Sequence, residues 1–271
     1  MKAIVFSRDR AMQLDACLRS LALHCLDFAS LDVCVLYQWS SVEHAQAYQE
    51  LFWSLPPNVR PQAENAFELQ VRALLVSADE PVLFVTDDTV FVQPWSALDV
   101  TVRLRNPDAI GLSLRLGENC DFCYPMNCEQ EPPAVPRCWA WSHARGDFAY
   151  PFELSSSAYR TADIIEALMS QRFAGPNGLE ACLAQAAEYG RAGWSVRRPF
   201  LLSYETSRAF SVPCNRVQNT FANRAGSDPA YTADALLAKW RDGWRIDVAA
   251  LSGHVPRACH EEVAFAFERR P

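Results

Sequence analysis

Pro81-Val-Leu-Phe-Val-Thr-Asp-Asp-Thr-Val-Phe91 decides the fold of this chain. Val82 to Val85 make a short apolar run of the kind that forms a buried strand, and it ends abruptly at two adjacent carboxylates, Asp87 and Asp88. Open α/β sheets bind their ligands just beyond the carboxyl ends of the strands. Two oxygen donors there are placed to hold a divalent cation, and such a cation usually serves a phosphate-bearing ligand. The stretch therefore predicts an enzyme acting on a nucleotide-linked substrate.

The flanking sequence agrees. Lys2–Phe6 reads as a strand, and Ala11, Leu14, Leu18, Leu21 and Cys25 then recur at helical spacing, with Ser7 or Asp9 available as a cap. Leu31–Tyr37 reads as a second strand. Ser40-Ser41 opens a helix with Ala45, Tyr48 and Phe52 on its buried face, closed by Pro56-Pro57. Phe67, Val71, Leu74 and Leu75 mark a third helix. Alternating β and α units with short links predict a mostly parallel sheet with helices on both faces.

After residue 100 the regularity falls. Ala109–Leu114 reads as a strand, and Gly117 to Pro136, rich in Pro, Cys and Asn, reads as loop. Trp139–Trp141 and Phe148–Phe152 read as short strands, followed by helices after Thr161, at Asn177-Gly-Leu-Glu180 up to about Gly190, and from Thr232 to Gly243. The expectation is one α/β domain over residues 1–271, with a nucleotide-binding half to about residue 100 and a smaller, irregular acceptor-side half over 101–271.

Composition narrows the partners. The 271 residues are 50% hydrophobic and 21% charged, with a formal charge of −7. Such a surface repels nucleic acid and anionic lipid. No apolar stretch approaches a membrane span, and the N-terminal run is too short for a signal-peptide core. Ten cysteines without such a signal suggest a reducing compartment, so a cytoplasmic protein is expected. Cys120-x-x-Cys123, with Cys128 and Cys138, could assemble a structural zinc site, although the second pair lacks the spacing of a zinc ribbon.

Familiar phosphate-binding devices are missing. No Gly-x-Gly-x-x-Gly follows the first strand, and no Gly-x-x-x-x-Gly-Lys-Ser/Thr occurs, which disfavours dinucleotide-binding Rossmann sites and P-loop enzymes. A metal held by carboxylates is the natural substitute. Ile4-Val-Phe6 followed by Ser-Arg-Asp-Arg, and Thr86-Asp-Asp88 after a buried strand, resemble the GT-A glycosyltransferases, particularly the inverting family-two type. Leu114-Arg-Leu-Gly117, Tyr150-Pro-Phe152, Pro176-Asn-Gly-Leu-Glu180, Pro213-Cys-Asn-Arg-Val-Gln218 and His260-Glu-Glu262 resemble a bacterial and viral polysaccharide subgroup of it. The chain departs from the family's Asp-x-Asp at its first position, which is Thr86.

The resemblance implies a Rossmann-like GT-A fold and a metal-dependent, inverting hexosyl- or deoxyhexosyltransferase of polysaccharide biosynthesis. It would move a sugar from a nucleotide sugar, expected to be a UDP-sugar, to a saccharide acceptor. It implies that Asp88 binds Mn²⁺ or Mg²⁺ directly, that Asp87 assists through the ribose or a coordinated water, and that His260 completes the metal's ligands; His24, His44, His143 and His254 have weaker claims. A sugar-nucleotidyltransferase, or a glycan-binding module without catalysis, are the alternatives.

Inverting transfer needs a carboxylate to take the acceptor's proton. Glu180 is the first candidate and Glu153 the second, although Asn177-x-x-Glu180 is also a capping-box pattern that would occupy the carboxylate locally. Nucleotide contacts are expected from Ser7, Arg8, Asp9 and Arg10 after the first strand, Tyr37 and Gln38 after the second, and Gln70 on the facing helix. Trp139, Trp141 and Tyr150 are candidates for a sugar platform, against the commoner role of strand aromatics as core.

Overall fold

The computed structural model describes every residue except 78–79, 136, 190–192 and 219–222. Its strands are β1 (Lys2–Arg8), β2 (Asp32–Gln38), β3 (Val59–Ala63), β4 (Val82–Thr86), β5 (Thr89–Phe91), β6 (Ala109–Ser113), β7 (Phe122–Cys123), β8 (Cys128–Glu129), β9 (Cys138–Ala140), β10 (Ser157–Tyr159), β11 (Phe200–Ser203), β12 (Ala209–Ser211), β13 (Trp244–Ile246) and β14 (Phe267–Arg269). The helices are α1 (Ala11–His24), α2 (Val42–Phe52), α3 (Phe67–Val76), α4 (Ala97–Arg103), α5 (Thr161–Ala167), α6 (Gly175–Tyr189), α7 (Trp194–Arg197) and α8 (Ala233–Arg241).

Eight strands join one sheet in the order β3-β2-β1-β4-β10-β6-β11-β9. Within it β10 and β9 run antiparallel to their neighbours and the other pairings are parallel. Strands from both sides of residue 100 thus share the sheet. Alternate residues of β1 enter opposite cores. Ala3 and Val5 pack with Leu14 of α1, Tyr48 of α2 and Leu236 of α8, while Ile4 and Phe6 pack with Val71 of α3, Ile164 of α5 and Leu183 of α6. Burial on both faces explains why the inner strands read as unbroken apolar runs.

The connectivity places the site. β1, β2 and β3 step outward in one direction, and the chain then returns to set β4 on the other side of β1. That reversal leaves a crevice at the carboxyl ends of β1 and β4. β10 runs antiparallel to β4, so the residues that precede it reach the same edge of the sheet as those following β4 and β6.

Several boundaries differ from expectation. Phe148–Phe152 is no strand: it holds a 3₁₀ turn at Gly146–Ala149, and the sheet is entered only at β10. Hydrophobicity misleads there because Phe148 and Phe152 are buried from a loop. The buried face of α2 is His44, Ala47, Tyr48 and Leu51, one step away from Ala45 and Phe52, with Ser41 Oγ accepting from His44 N as the cap. Neither Ser7 nor Asp9 caps α1, whose first residue follows Arg10 without a side-chain cap. Glu180 lies in the second turn of α6, which begins at Gly175.

Candidate active site

The backbone of Asp87 extends the β1–β4 pairing by one bond, donating to the Phe6 carbonyl at 3.0 Å. This fixes its side chain over the end of β1. Asp87 Oδ2 accepts from Ser7 Oγ at 2.8 Å and from the Arg8 backbone N–H at 3.2 Å, and Oδ1 accepts from Arg10 Nη1 at 3.0 Å. Because Ser7 Oγ donates to the carboxylate, the Tyr48 hydroxyl 2.6 Å away must donate to Ser7, and it accepts from Arg10 N at 3.2 Å. One tyrosine on α2 thus holds the first turn after β1 in place.

Asp88 is the more open carboxylate, its side chain 20% exposed against 5% for Asp87. Its Oδ1 accepts from Thr86 Oγ1 at 2.8 Å, and Oδ2 lies 3.4 Å from Arg10 Nη1. Thr86, the departure from Asp-x-Asp, therefore aims Asp88. The Asp88 carbonyl accepts from Val212 N at 2.8 Å, which ties the pair to the strand β12 segment. Burial pushes Asp87 up to about 6, against the pull of Arg10 and with help from the charge on Asp88. Burial disfavours the charged form of Arg10, but Asp87 and Asp88 more than reverse this and hold the guanidinium protonated.

A divalent cation suits this corner by charge and by donor chemistry. Two carboxylates share a single guanidinium, leaving one uncompensated negative charge, and carboxylate oxygens are the donors Mg²⁺ and Mn²⁺ prefer. His260 is placed differently from the expected third ligand. Its Nε2 stands 3.2 Å from Arg115 Nη1, so it accepts from that guanidinium and the ring proton sits on Nδ1. Burial, then the Arg115 charge, lower His260 to about 3 and keep it neutral. Among the described residues no group of three or more His, Cys, Asp or Glu side chains is arranged to hold a metal.

A second cluster lies along the same edge. Arg115, just past β6, pairs with Glu153 at 3.0 Å, both side chains more than nine-tenths buried. Glu153 also accepts from Ser155 N and from Ser157 Oγ. The turn that carries it is strained: Phe152 and Ser156 have φ of 64° and 93°. For a bulky residue such as Phe152 a positive φ is costly, and the ring is held in place by Tyr159 and Trp194, at centroid distances of 5.3 and 5.4 Å.

Glu180 has a different environment. Its Oε1 accepts one bond, from Leu154 N at 3.2 Å, and its carboxylate does not fold back on Asn177 as a capping box requires. Burial pushes Glu180 up to about 7, the charges of Glu153 and, less, Asp88 add to that, and Arg115 moderates it. Its partner Leu154 lies in the turn that leads into β10, and β10 runs beside β4, the strand that delivers the acidic pair. Tyr150 is 40% exposed, and burial and then Glu180 raise its hydroxyl above the ordinary tyrosine value.

Other expected residues fall elsewhere. Trp139 and Trp141 are core, 5% and 6% exposed, with their indole N–H groups donating to the Phe148 and Arg198 carbonyls, so neither offers a face to a sugar; Tyr150 alone of the three does. Gln70 is consumed locally, accepting from Asn65 and Ala66 N–H and donating to the Ala63 carbonyl. Asp9 (φ 55°) uses Oδ1 to accept from Ser40 N, and Arg8 lies 3.6 Å from its other oxygen. Tyr37 stacks beneath exposed Trp39 at 5.5 Å, and the Gln38 carbonyl accepts from Asp9 N. Cys120 and Cys123 are buried, Cys138 is half-buried and Cys128 is exposed. Sequence reasoning missed Arg115, Tyr48 and Asn215; Arg115 stood inside a quoted motif, but nothing local marks a buried ion pair whose partner is 38 residues away.

No protein-family model matches the chain, and no curated protein matches it. Among solved structures it is similar to the S. aureus TarS fragment 1-349, at 15% identity and a TM-score of 0.50, over 78% of this chain and 60% of that one. It is similar also to TarS 1-349 in complex with UDP-GlcNAc, at 14% identity and a TM-score of 0.45, over 75% and 59% of the two chains. A mannosyltransferase, PcManGT from Pyrobaculum calidifontis, solved with GDP-Man and Mn²⁺, matches at 13% identity and a TM-score of 0.40, over 75% and 54%. The chain thus spans about 60% of the TarS fragment. The architecture, a large and mostly parallel sheet flanked by helices, is similar to that of the GT-A glycosyltransferases.

Proposed function

We propose that this chain is a glycosyltransferase that moves a sugar from a nucleotide sugar to a saccharide hydroxyl with inversion at the anomeric carbon. The observation that carries the proposal is the division of labour at one sheet edge. An acidic pair stands at the switch point between β1 and β4, and Glu180 is bonded to the turn that leads into β10, the strand beside β4. A nucleoside diphosphate bound at the pair would bring an attacking hydroxyl to a sheet edge that also carries a base.

Glu180 takes the acceptor's proton as the hydroxyl oxygen bonds to the anomeric carbon, and the bond from that carbon to the diphosphate oxygen breaks with its electrons on the phosphate. A value near 7 matches a base that must be charged and yet basic at neutral pH. Glu153 is the weaker candidate because Arg115, Ser157 and the Ser155 N–H already occupy its oxygens. Asp88, with Asp87 behind it, would hold a divalent cation, which when bound supplies Lewis-acid stabilisation of the departing diphosphate. Ser7, Arg8 and Arg10 lie where a nucleotide's phosphates and ribose would rest, and Tyr37 with Trp39 offers aromatic surface to a base. Tyr150 is positioned on the acceptor side.

UDP and UDP-GlcNAc, the ligands named for TarS, are the donors to try first. None of the helices among the described residues is long and apolar enough to cross a membrane. The ten cysteines suit a reducing compartment, and on that ground we place the reaction in the cytoplasm. The test is a thermal-shift screen of nucleotides and nucleotide sugars, with and without Mn²⁺, followed by assay of diphosphate release with mixed saccharide acceptors. A ligand bound only by the native state raises its apparent stability. Stabilisation by at least one nucleotide sugar and release of its diphosphate are expected; no response to any of them removes the proposal.

A further inference from the structure

Arg10 does more than face the acidic pair. Its Nη1 reaches Asp87 Oδ1 at 3.0 Å and Asp88 Oδ2 at 3.4 Å, which is the space between the two carboxylates. The opposite edge of the same guanidinium is spent on Asn215: Nε donates to Asn215 Oδ1 at 2.7 Å, and Nη2 to the Asn215 carbonyl. Asn215 in turn donates to the Tyr231 carbonyl at 2.7 Å, just ahead of α8. The Arg10 side chain is only 10% exposed, so these contacts fix it from every side.

We propose that Arg10 occupies the position of the divalent cation in the unloaded protein, and that binding of the cation displaces it and unlatches the Asn215 segment. Two positive groups cannot share the gap between Asp87 and Asp88. The guanidinium is a rigid plate, and moving Nη1 out of the gap turns Nε and Nη2 away from Asn215. Cation binding and the Arg10–Asn215 contact are therefore linked. Whatever weakens the latch strengthens cation binding, and the cation loosens the latch by the same factor. The charge balance favours a divalent ion: exchanging one positive charge for two converts the corner from net negative to neutral while leaving Arg10 free to meet a diphosphate.

This inference rests on reading the acidic pair as a cation site, and its test is scored apart from activity. Mn²⁺ affinity is measured without nucleotide, from the electron paramagnetic resonance of the free ion, for the native chain, Arg10→Met, Asn215→Ala and Asp88→Asn. Arg10→Met is expected to bind Mn²⁺ about fivefold or more tightly than the native chain. Asn215→Ala, which touches neither carboxylate, is expected to shift affinity in the same direction by a smaller factor, and Asp88→Asn to lose binding. In hydrogen exchange, Mn²⁺ should speed the amides of residues 211–217 in the native chain and leave them unchanged in Arg10→Met.

Equal or weaker Mn²⁺ binding by Asn215→Ala and Arg10→Met overturns the proposal, as does the absence of binding by all four proteins. Should Arg10→Met not fold, Asn215→Ala carries the test alone. A nucleotide-sugar response in a protein whose Mn²⁺ affinity is unchanged by Arg10→Met and Asn215→Ala would leave the proposed transferase standing while the latch fails. Loss of every nucleotide response would remove the transferase, while the latch is judged by the Mn²⁺ affinities alone.

Discussion

Arg115 Nη2 lies 3.0 Å from Glu153 Oε2 with both side chains buried, and the same guanidinium reaches His260 Nε2 at 3.2 Å. Breaking a buried pair by removing one partner leaves an uncompensated charge away from water. Arg115→Met should therefore lower stability by about 3–5 kcal/mol in urea unfolding. The double change Arg115→Met with Glu153→Gln should recover a large part of that loss. A double variant as unstable as the single one would show that Arg115 acts through packing instead.

Glu180 sets the pH dependence. Its folded value, about 7, lies above that of an ordinary glutamate, so the native state holds a proton that the unfolded chain has lost. Stability from this group is full below the unfolded value and falls as pH rises through about 7. Glu180→Gln should consequently melt higher than the native protein at pH 8, and the difference should vanish below the unfolded glutamate value, at about pH 4. Turnover has the opposite slope, because the base must be ionised, and should rise through about pH 7. The same variant should lose about 10²–10⁴-fold in kcat with little change in donor affinity. Retained turnover would transfer the role elsewhere.

In the proposed reaction Asp88 serves the donor and not the fold, since its carboxylate is partly open and its backbone bond to Val212 survives truncation. Asp88→Ala should abolish transfer while keeping the circular dichroism spectrum. Thr86→Val, which removes only the hydroxyl aiming Asp88, should weaken donor or cation binding by about tenfold, the scale of a hydrogen bond to a charged group. Unchanged binding would mean that Asp88 needs no such guide.

Gln70 serves as the contrast. Its amide joins Asn65, Ala66 and Ala63 and so closes the turn between β3 and α3. Gln70→Ala should cost about 1–3 kcal/mol in stability, because buried backbone groups lose their partners, with donor affinity of the folded protein unchanged. A fall in affinity without a fall in stability would restore Gln70 to the nucleotide site.

The parts of the fold legible in the sequence were those with a local period. β1, β2 and β4 are unbroken apolar runs buried on both faces, the helices between them repeat apolar residues at helical spacing, and the carboxylates after β4 follow from strand polarity alone. The strands β10 and β11, three and four residues long, join the large sheet, and the three-residue β12 pairs with β5, in each case through partners far along the chain that no window reveals. β3 was hidden for another reason: Pro61 and two exposed neighbours disguise an edge strand, where a missing N–H is tolerated. Residue types gave Asp87, Asp88 and Glu180 as candidates for the proposed site. They could not distinguish an indole used as core from one used as a platform, nor show that Arg115 would occupy both Glu153 and His260.

The most direct measurement is the crystal structure of the protein with a nucleoside diphosphate and Mn²⁺. The account predicts the diphosphate in the crevice beyond β1 and β4, its metal on Asp88 and its open side toward Glu180. A diphosphate bound elsewhere, with Asp87 and Asp88 still closed on Arg10, would contradict it.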